Sequence, residues 1–229
     1  MKDVTICVTT FQRQDCIDNC IDSIKKYYPD IKIYIADDSS WSTQLPFDVG
    51  LSYKRNWLLN QVKTKYVVFI DDDFQFYDET KLEKLREIII NEDVDLVAGQ
   101  VRLIPKDKID NYHGLLEIKD KTLTYKKGDK GVTQNGYPLY DIVLNFFMAK
   151  TESIRNIGWD NDLKLVEHTD FFLRAKDKLR VTQTGEITIN HWKNNNERHD
   201  YDKYRNRYNR YEKRFKYKHD IDNIIPFGE

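Results

Sequence analysis

Three short apolar runs, each stopping at polar or acidic residues, limit this chain to one broad architecture. Val4-Thr5-Ile6-Cys7-Val8-Thr9 is a β-branched run of the kind buried on both faces of a sheet. Ile31-Lys32-Ile33-Tyr34-Ile35-Ala36 runs into Asp37-Asp38-Ser39-Ser40, and Lys65-Tyr66-Val67-Val68-Phe69-Ile70 into Asp71-Asp72-Asp73. Between the first two, Ile17, Cys20, Ile21 and Ile24 recur at helical spacing and end before Pro29. Between the second and third, a polar loop over 41–50 precedes a helix from Leu51 to Val62. An amphipathic helix over 80–91 and a strand over 94–100 follow. Strand–helix–strand alternation with short connections predicts an α/β fold with a mainly parallel central sheet flanked by helices. In such open sheets ligands bind beyond the carboxyl ends of the strands, where the acids fall here.

The second half is less regular. Residues 101–140 read as short strands and turns, and Asp141 to Ala149 as a further central strand. Glu167 to Ala175 begins a helix, and Arg180 to Ile189 alternates like a strand. From Trp192 the character changes. Tyr201, Tyr204, Tyr208, Tyr211 and Phe215 form one aromatic stripe at three- and four-residue steps, with Lys and Arg around it. Such a helix docks on the body by its aromatic face, lies at an anionic lipid surface, or forms a dimer seam.

Composition narrows the function. With 37 Lys and Arg against 38 Asp and Glu, the 229-residue chain carries a formal charge of -1, which gives no global argument for nucleic acid. The start lacks a secretory apolar region, and no apolar run approaches a membrane span, so a cytoplasmic protein, or one peripheral at the inner membrane surface, is expected. Cys7, Cys16 and Cys20 match no Cys-x-x-Cys spacing and are read as reduced thiols. There is no phosphate-binding loop, no Gly-x-Gly-x-x-Gly and no Gly-x-Ser-x-Gly.

Five features carry chemistry. Asp71-Asp72-Asp73 sets three repelling carboxylates directly after a buried strand, either as a solvated acidic turn or, with the acids partly buried, around a cation; hard oxygen ligands favour Mg²⁺ or Mn²⁺. One acid could face a nucleotide while another holds the metal. Asp38 could accept from a nucleobase or ribose, or merely cap a turn. Arg55 offers a planar fork for phosphate or a carboxylate. Glu167 and Asp170, one helical turn apart, could cap the helix or remove a proton from an acceptor hydroxyl. His191, at a strand end, could complete the metal site.

In this order the features resemble the GT-A fold glycosyltransferases of the family-2 kind, over roughly residues 4–192. Val4 to Phe11 resembles their opening strand, whose end touches the base, implying Thr9 and Phe11 as donor contacts. Ala36-Asp37-Asp38-Ser39 is similar to their uracil- or ribose-binding turn, and Lys54-Arg55-Asn56 to the helix that reaches the donor. Ile70-Asp71-Asp72-Asp73 matches their Asp-x-Asp metal motif. Glu167-His168-Thr169-Asp170 resembles the helix start that carries the base in inverting members. Together with Thr64 to Phe74 and Phe171-Phe172, these stretches look like the β-1,4-N-acetylgalactosaminyltransferases of the ganglioside-synthase type. The likeness implies a compact relative without their amino-terminal anchor and stem.

The resemblance implies one catalytic domain over 1–192, with a nucleotide-sugar half (1–100) and an acceptor half (101–192), and a basic aromatic tail over 193–229. It implies an inverting transfer of a hexose or N-acetylhexosamine from a UDP-sugar to a glycan or glycoconjugate hydroxyl. Asp73, Asp71 and His191 would hold Mn²⁺ or Mg²⁺, and Thr9, Phe11, Asp38, Arg55, Asp71 and Asp72 the donor. Where many members carry Glu-Asp, this chain has Glu167-His168, so the base is Asp170, Glu167 or His168, with Asp170 favoured. A nucleotidyltransferase would show a Gly-rich basic loop where Thr9-Thr10-Phe11-Gln12-Arg13 stands. A catalytically silent nucleotide- or glycan-binding module is the other alternative.

Overall fold

The computed structural model describes residues 1–110, 112–192, 204 and 208–228. Its core is a mixed sheet entered by β1 (Val4–Thr10), β2 (Lys32–Asp37) and β3 (Tyr66–Asp71), which run parallel with β1 in the middle. Beyond β3 lie β10 (Phe147–Lys150), β5 (Leu96–Ile104), β11 (Val181–Trp192) and β4 (Phe74–Gln75), giving the order β2-β1-β3-β10-β5-β11-β4. Short strands β6 (Lys108–Asp110) and β9 (Leu139–Tyr140) pair with β5 and β11.

Alternation along the strands divides the core. Cys7, Val67 and Phe69 face one apolar cluster, whereas Ile6, Val8, Val68 and Ile70 face the other. The second cluster is covered by α1 (Gln14–Tyr27) through Ile17, Cys20 and Ile24, and by α3 (Leu82–Asn91) through Leu82, Leu85, Ile88 and Ile89. The first is covered by α2 (Leu51–Gln61), α4 (Thr151–Ile157) and α5 (Glu167–Ala175). Burial on both faces explains why these strands read as continuous apolar runs. All three cysteines are free thiols, with Cys7 in β1 and Cys16 and Cys20 on α1.

The sheet is less parallel than the strand–helix alternation predicts. β10 runs antiparallel to both β3 and β5. The chain reaches it through a long excursion after β5 rather than a crossover helix, so the handedness rule for parallel units does not fix its direction. Asp141 to Phe146, expected within the same strand, is buried but leads into β10 outside the ladder.

A second sheet joins β7 (Leu115–Lys119), β8 (Thr122–Lys126) and β12 (Asn223–Ile225). The C-terminal segment is thereby stitched to the body. Ahead of β12, α6 (Tyr208–Lys218) turns Tyr211 and Phe215 inward, while Tyr217 is 90% exposed. The stripe thus serves packing at these two positions. Tyr201 lies outside the described residues. No helix among the described residues is long and apolar enough to cross a membrane.

Candidate active site

Strand register gathers the candidate residues at one edge. Thr10 pairs with Asp37 and Thr9 with Asp71, so β1, β2 and β3 end together. A cleft opens there, lined by Thr9, Phe11, Asp38, Asp71, Asp73 and His191, among others. All six were candidates from the sequence. Asp72 and Arg55 do not line it.

The three acids of the triplet take three different environments. Asp72 turns inward, 1% exposed, where Thr10 Oγ1 donates at 2.6 Å and Arg13 Nε at 3.2 Å. Burial pushes its carboxyl up to about 7 against the pull of Arg13. Asp73 faces the cleft, with Arg13 Nη1 at 2.9 Å and His191 Nε2 at 3.3 Å. Burial opposes its ionisation, but His191 and Arg13 outweigh it and hold the carboxyl down at about 2. Asp71 also lines the cleft but is held from behind: Asn145 Nδ2 donates to it at 2.7 Å and Arg55 Nη2 stands 3.7 Å away. Asp72, expected at the donor, lies instead buried against Arg13 and does not line the cleft.

The Asp38 turn is built by a buried ion pair. Lys54 Nζ donates to Asp38 Oδ1 at 2.6 Å and to the Thr10 carbonyl at 2.8 Å. The Gly50 N–H donates to Asp38 Oδ2 at 3.0 Å. Gly50 has φ +92°, and a Cβ there would meet Lys164 Cγ at 2.5 Å, so only glycine suits this turn. Asp37 is occupied locally, accepting from the Ser39 N–H at 2.9 Å.

Arg55, expected at the donor, lies behind the cleft and is 2% exposed. Its Nη1 meets Glu167 at 3.2 Å and its Nη2 donates to Asn145 Oδ1 at 2.9 Å, while the guanidinium stacks 5.5 Å from the Trp159 ring centre. Buried charge needs such partners, and the helical position of Arg55 turns it toward α5 rather than the cleft. One guanidinium thus lies between Asp71 and Glu167.

The acids at the start of α5 separate. Glu167 turns to Arg55. Asp170 is fully buried on the side of α6. Arg174 Nε donates to it at 2.8 Å, His219 Nε2 stands at 2.8 Å and Lys218 Nζ at 2.6 Å. Asp170, the favoured base, does not line the cleft, and its carboxylate is committed to Arg174, Lys218 and His219; Glu167 stands behind the cleft as well, joined to Asp71 through Arg55. His168 is equally unsuited. Its ring meets the Val143 carbonyl at 2.8 Å, and burial, reinforced by the charge of Arg55, takes the imidazole down to about 4.

Asp170 carries a stability prediction. Burial opposes its charge, yet His219, Lys218 and Arg174 hold its carboxyl at about 2, below the ordinary 3.8. A depressed carboxyl stabilises the fold fully above the ordinary value, and that contribution fades as pH falls toward 2. Asp170→Asn should cost about 2 kcal/mol in urea unfolding at pH 7, with the gap to wild type closing near pH 2.

A divalent cation implied by the acidic motif can be tested against the donors present. Asp73 and His191 supply one carboxylate and one imidazole side by side on the cleft wall. Among the described residues, no group of three or more His, Cys, Asp or Glu is close enough to hold a metal, and Asp71 is turned to Asn145. Two protein ligands still fit Mg²⁺ or Mn²⁺, which commonly complete their shells with water and substrate phosphates. Asp71 as a direct metal ligand is not supported by its contacts.

Sequence reasoning gave no role to Arg13 or Asn145, named Lys54 only as part of the donor-reaching helix, and placed Tyr211 only in the aromatic stripe. Arg13 follows the end of the first strand and Lys54 precedes Arg55, so their charge and place were available signals. Asn145 and Tyr211 gave no signal distinguishable from packing.

The family model described as Glycosyl transferase family 2 matches residues 5–158. A β-1,4 N-acetylgalactosaminyltransferase 1 of Rattus norvegicus is 35% identical over 207 residues, covering 82% of this chain and 38% of the relative. A β-1,4 N-acetylgalactosaminyltransferase 2 of Mus musculus is 34% identical over 202 residues, covering 82% and 39%. The chain therefore spans less than two-fifths of the length of these relatives. Among solved structures, S. aureus TarS 1–349 in complex with UDP-GlcNAc aligns with a TM-score of 0.63 at 18% identity, over 85% of this chain and 59% of that one. A197 from STIV aligns with a TM-score of 0.53 at 17% identity, over 85% and 87%. The shared fold is GT-A, as the motifs led us to expect.

Proposed function

This chain belongs to glycosyl transferase family 2, and from that premise we propose that it moves a hexose or N-acetylhexosamine from a UDP-sugar to a glycan or glycoconjugate hydroxyl, with inversion and with Mn²⁺ or Mg²⁺. The observation that carries the reading is the meeting of Asp38, Asp71, Asp73 and His191 in one cleft at the carboxyl edge of the sheet. The N-acetylgalactosaminyltransferase relatives favour an N-acetylhexosamine.

In this reading Thr9 and Phe11 meet the nucleotide, and the Lys54–Asp38 pair shapes the pocket floor beside it. Asp73 and His191 would hold the metal, which when bound would supply charge neutralisation for the diphosphate leaving group. Arg13 shares Asp73 and keeps the buried Asp72 charge compensated. Glu167 takes the role of base: it removes the acceptor hydroxyl proton as the oxygen attacks the anomeric carbon. Arg55 and Asn145 hold Glu167 and Asp71 in a fixed relation.

A thermal-shift screen of nucleotides with and without Mn²⁺ tests this. UDP-sugars at a hundredfold excess over Kd should raise Tm by about 5 °C or more, with the larger gain when Mn²⁺ is present. No shift with any UDP-sugar in either condition would sink the donor assignment.

A further inference from the structure

Two residues of the cleft wall, Tyr204 and Tyr211, come from the C-terminal segment rather than from the strand ends. Tyr211 is 8% exposed, yet its hydroxyl meets no hydrogen-bond partner among the described residues. The hydroxyl is not among the buried polar atoms left without a partner, so it opens toward the cleft whose wall Tyr211 forms. A ligand oxygen in that polar cleft can take the place of the solvent it meets.

The phenol is also held firmly. One turn along α6, Phe215 is 1% exposed in the core. At the end of the helix Lys218 reaches Asp160 and Asp170, both at 2.6 Å, and His219 reaches Asp170. Arg214 pairs with Asp162, and β12 then pairs with β8. Together these attachments fix a helix of 11 residues. Such fixing is what a contact residue needs, because geometry set before binding costs no ordering on binding.

We infer that Tyr211 is a donor-contacting residue whose phenol donates to a diphosphate or sugar oxygen of the nucleotide sugar, and that Asp170 is the positioning residue that holds it there. The inference rests on the UDP-sugar reading above. It gives the buried acid of α5 a task other than proton transfer, exerted through α6.

Isothermal titration on the full chain, with UDP, UDP-N-acetylglucosamine and UDP-N-acetylgalactosamine in Mn²⁺, tests it. Tyr211→Phe keeps the packing and should weaken binding roughly three- to tenfold. A loss with UDP itself puts the contact at the diphosphate; a loss confined to the sugar nucleotides puts it at the sugar. Asp170→Asn should raise the donor KM by a similar factor while kcat falls less than tenfold. The double variant should bind no more weakly than Asp170→Asn alone, since both act through one contact. Binding of all three ligands within twofold of wild type in Tyr211→Phe would overturn the inference, and additive losses would overturn the part given to Asp170. Failure of wild type to bind any of the three would overturn the donor reading itself, before any variant is compared.

Discussion

Glu167→Gln should lower turnover by about two to four orders of magnitude, the range a positioned general base supplies, with UDP affinity within about twofold of wild type. The substitution preserves shape and can still accept from Arg55 Nη1, now at 3.2 Å from a carboxylate oxygen, so the fold should survive. What disappears is the capacity to take a proton. The companion Asp170→Asn separates the two acids of α5: a base must lose chemistry at saturating substrate, whereas Asp170 is committed to Arg174, Lys218 and His219. Steady-state kinetics of both variants decide between them. If Glu167→Gln retains turnover within tenfold, the proton goes elsewhere and Glu167 is only the counter-ion of Arg55.

Asp73→Asn should abolish Mn²⁺-stimulated transfer, a loss of roughly two to four orders of magnitude if the metal contributes several kcal/mol of charge stabilisation. The substitution removes one of the two side-by-side metal donors on the cleft wall. The protein should stay folded, because the replaced charge lies next to Asp72, whose burial already disfavours ionisation. Arg13 keeps Asp72 as its partner. Titrating activity and Tm against Mn²⁺ in wild type and variant is the measurement. Unchanged metal stimulation would remove Asp73 and His191 from the metal site.

Much of the carboxyl edge of the sheet was legible because it depends on local signals. A strand buried on both faces writes itself as a continuous apolar run, and the polar residue after it marks where the strand ends. Asp71, Asp73, Asp38 and His191 were therefore found together before any geometry was known. What failed was direction. Asp71, Asp72 and Asp73 are adjacent in sequence but turn to Asn145, to Arg13 and to the cleft, and no spacing rule reports that. Glu167 and Asp170 are one turn apart, which reads as one face. Yet the neighbours that decide their roles, Arg55 and His219, stand 112 and 49 residues away. β10 failed for a related reason: strand direction is set by a distant connection, not by the apolar run itself.

The short start of α5 answers in two directions, to Arg55 through Glu167 and to α6 through Asp170. A bulky partner fused behind β12 would therefore tug on the turn that carries the candidate base. Reporter tags or immobilisation handles placed behind β12 are therefore poor choices for kinetic work on this protein.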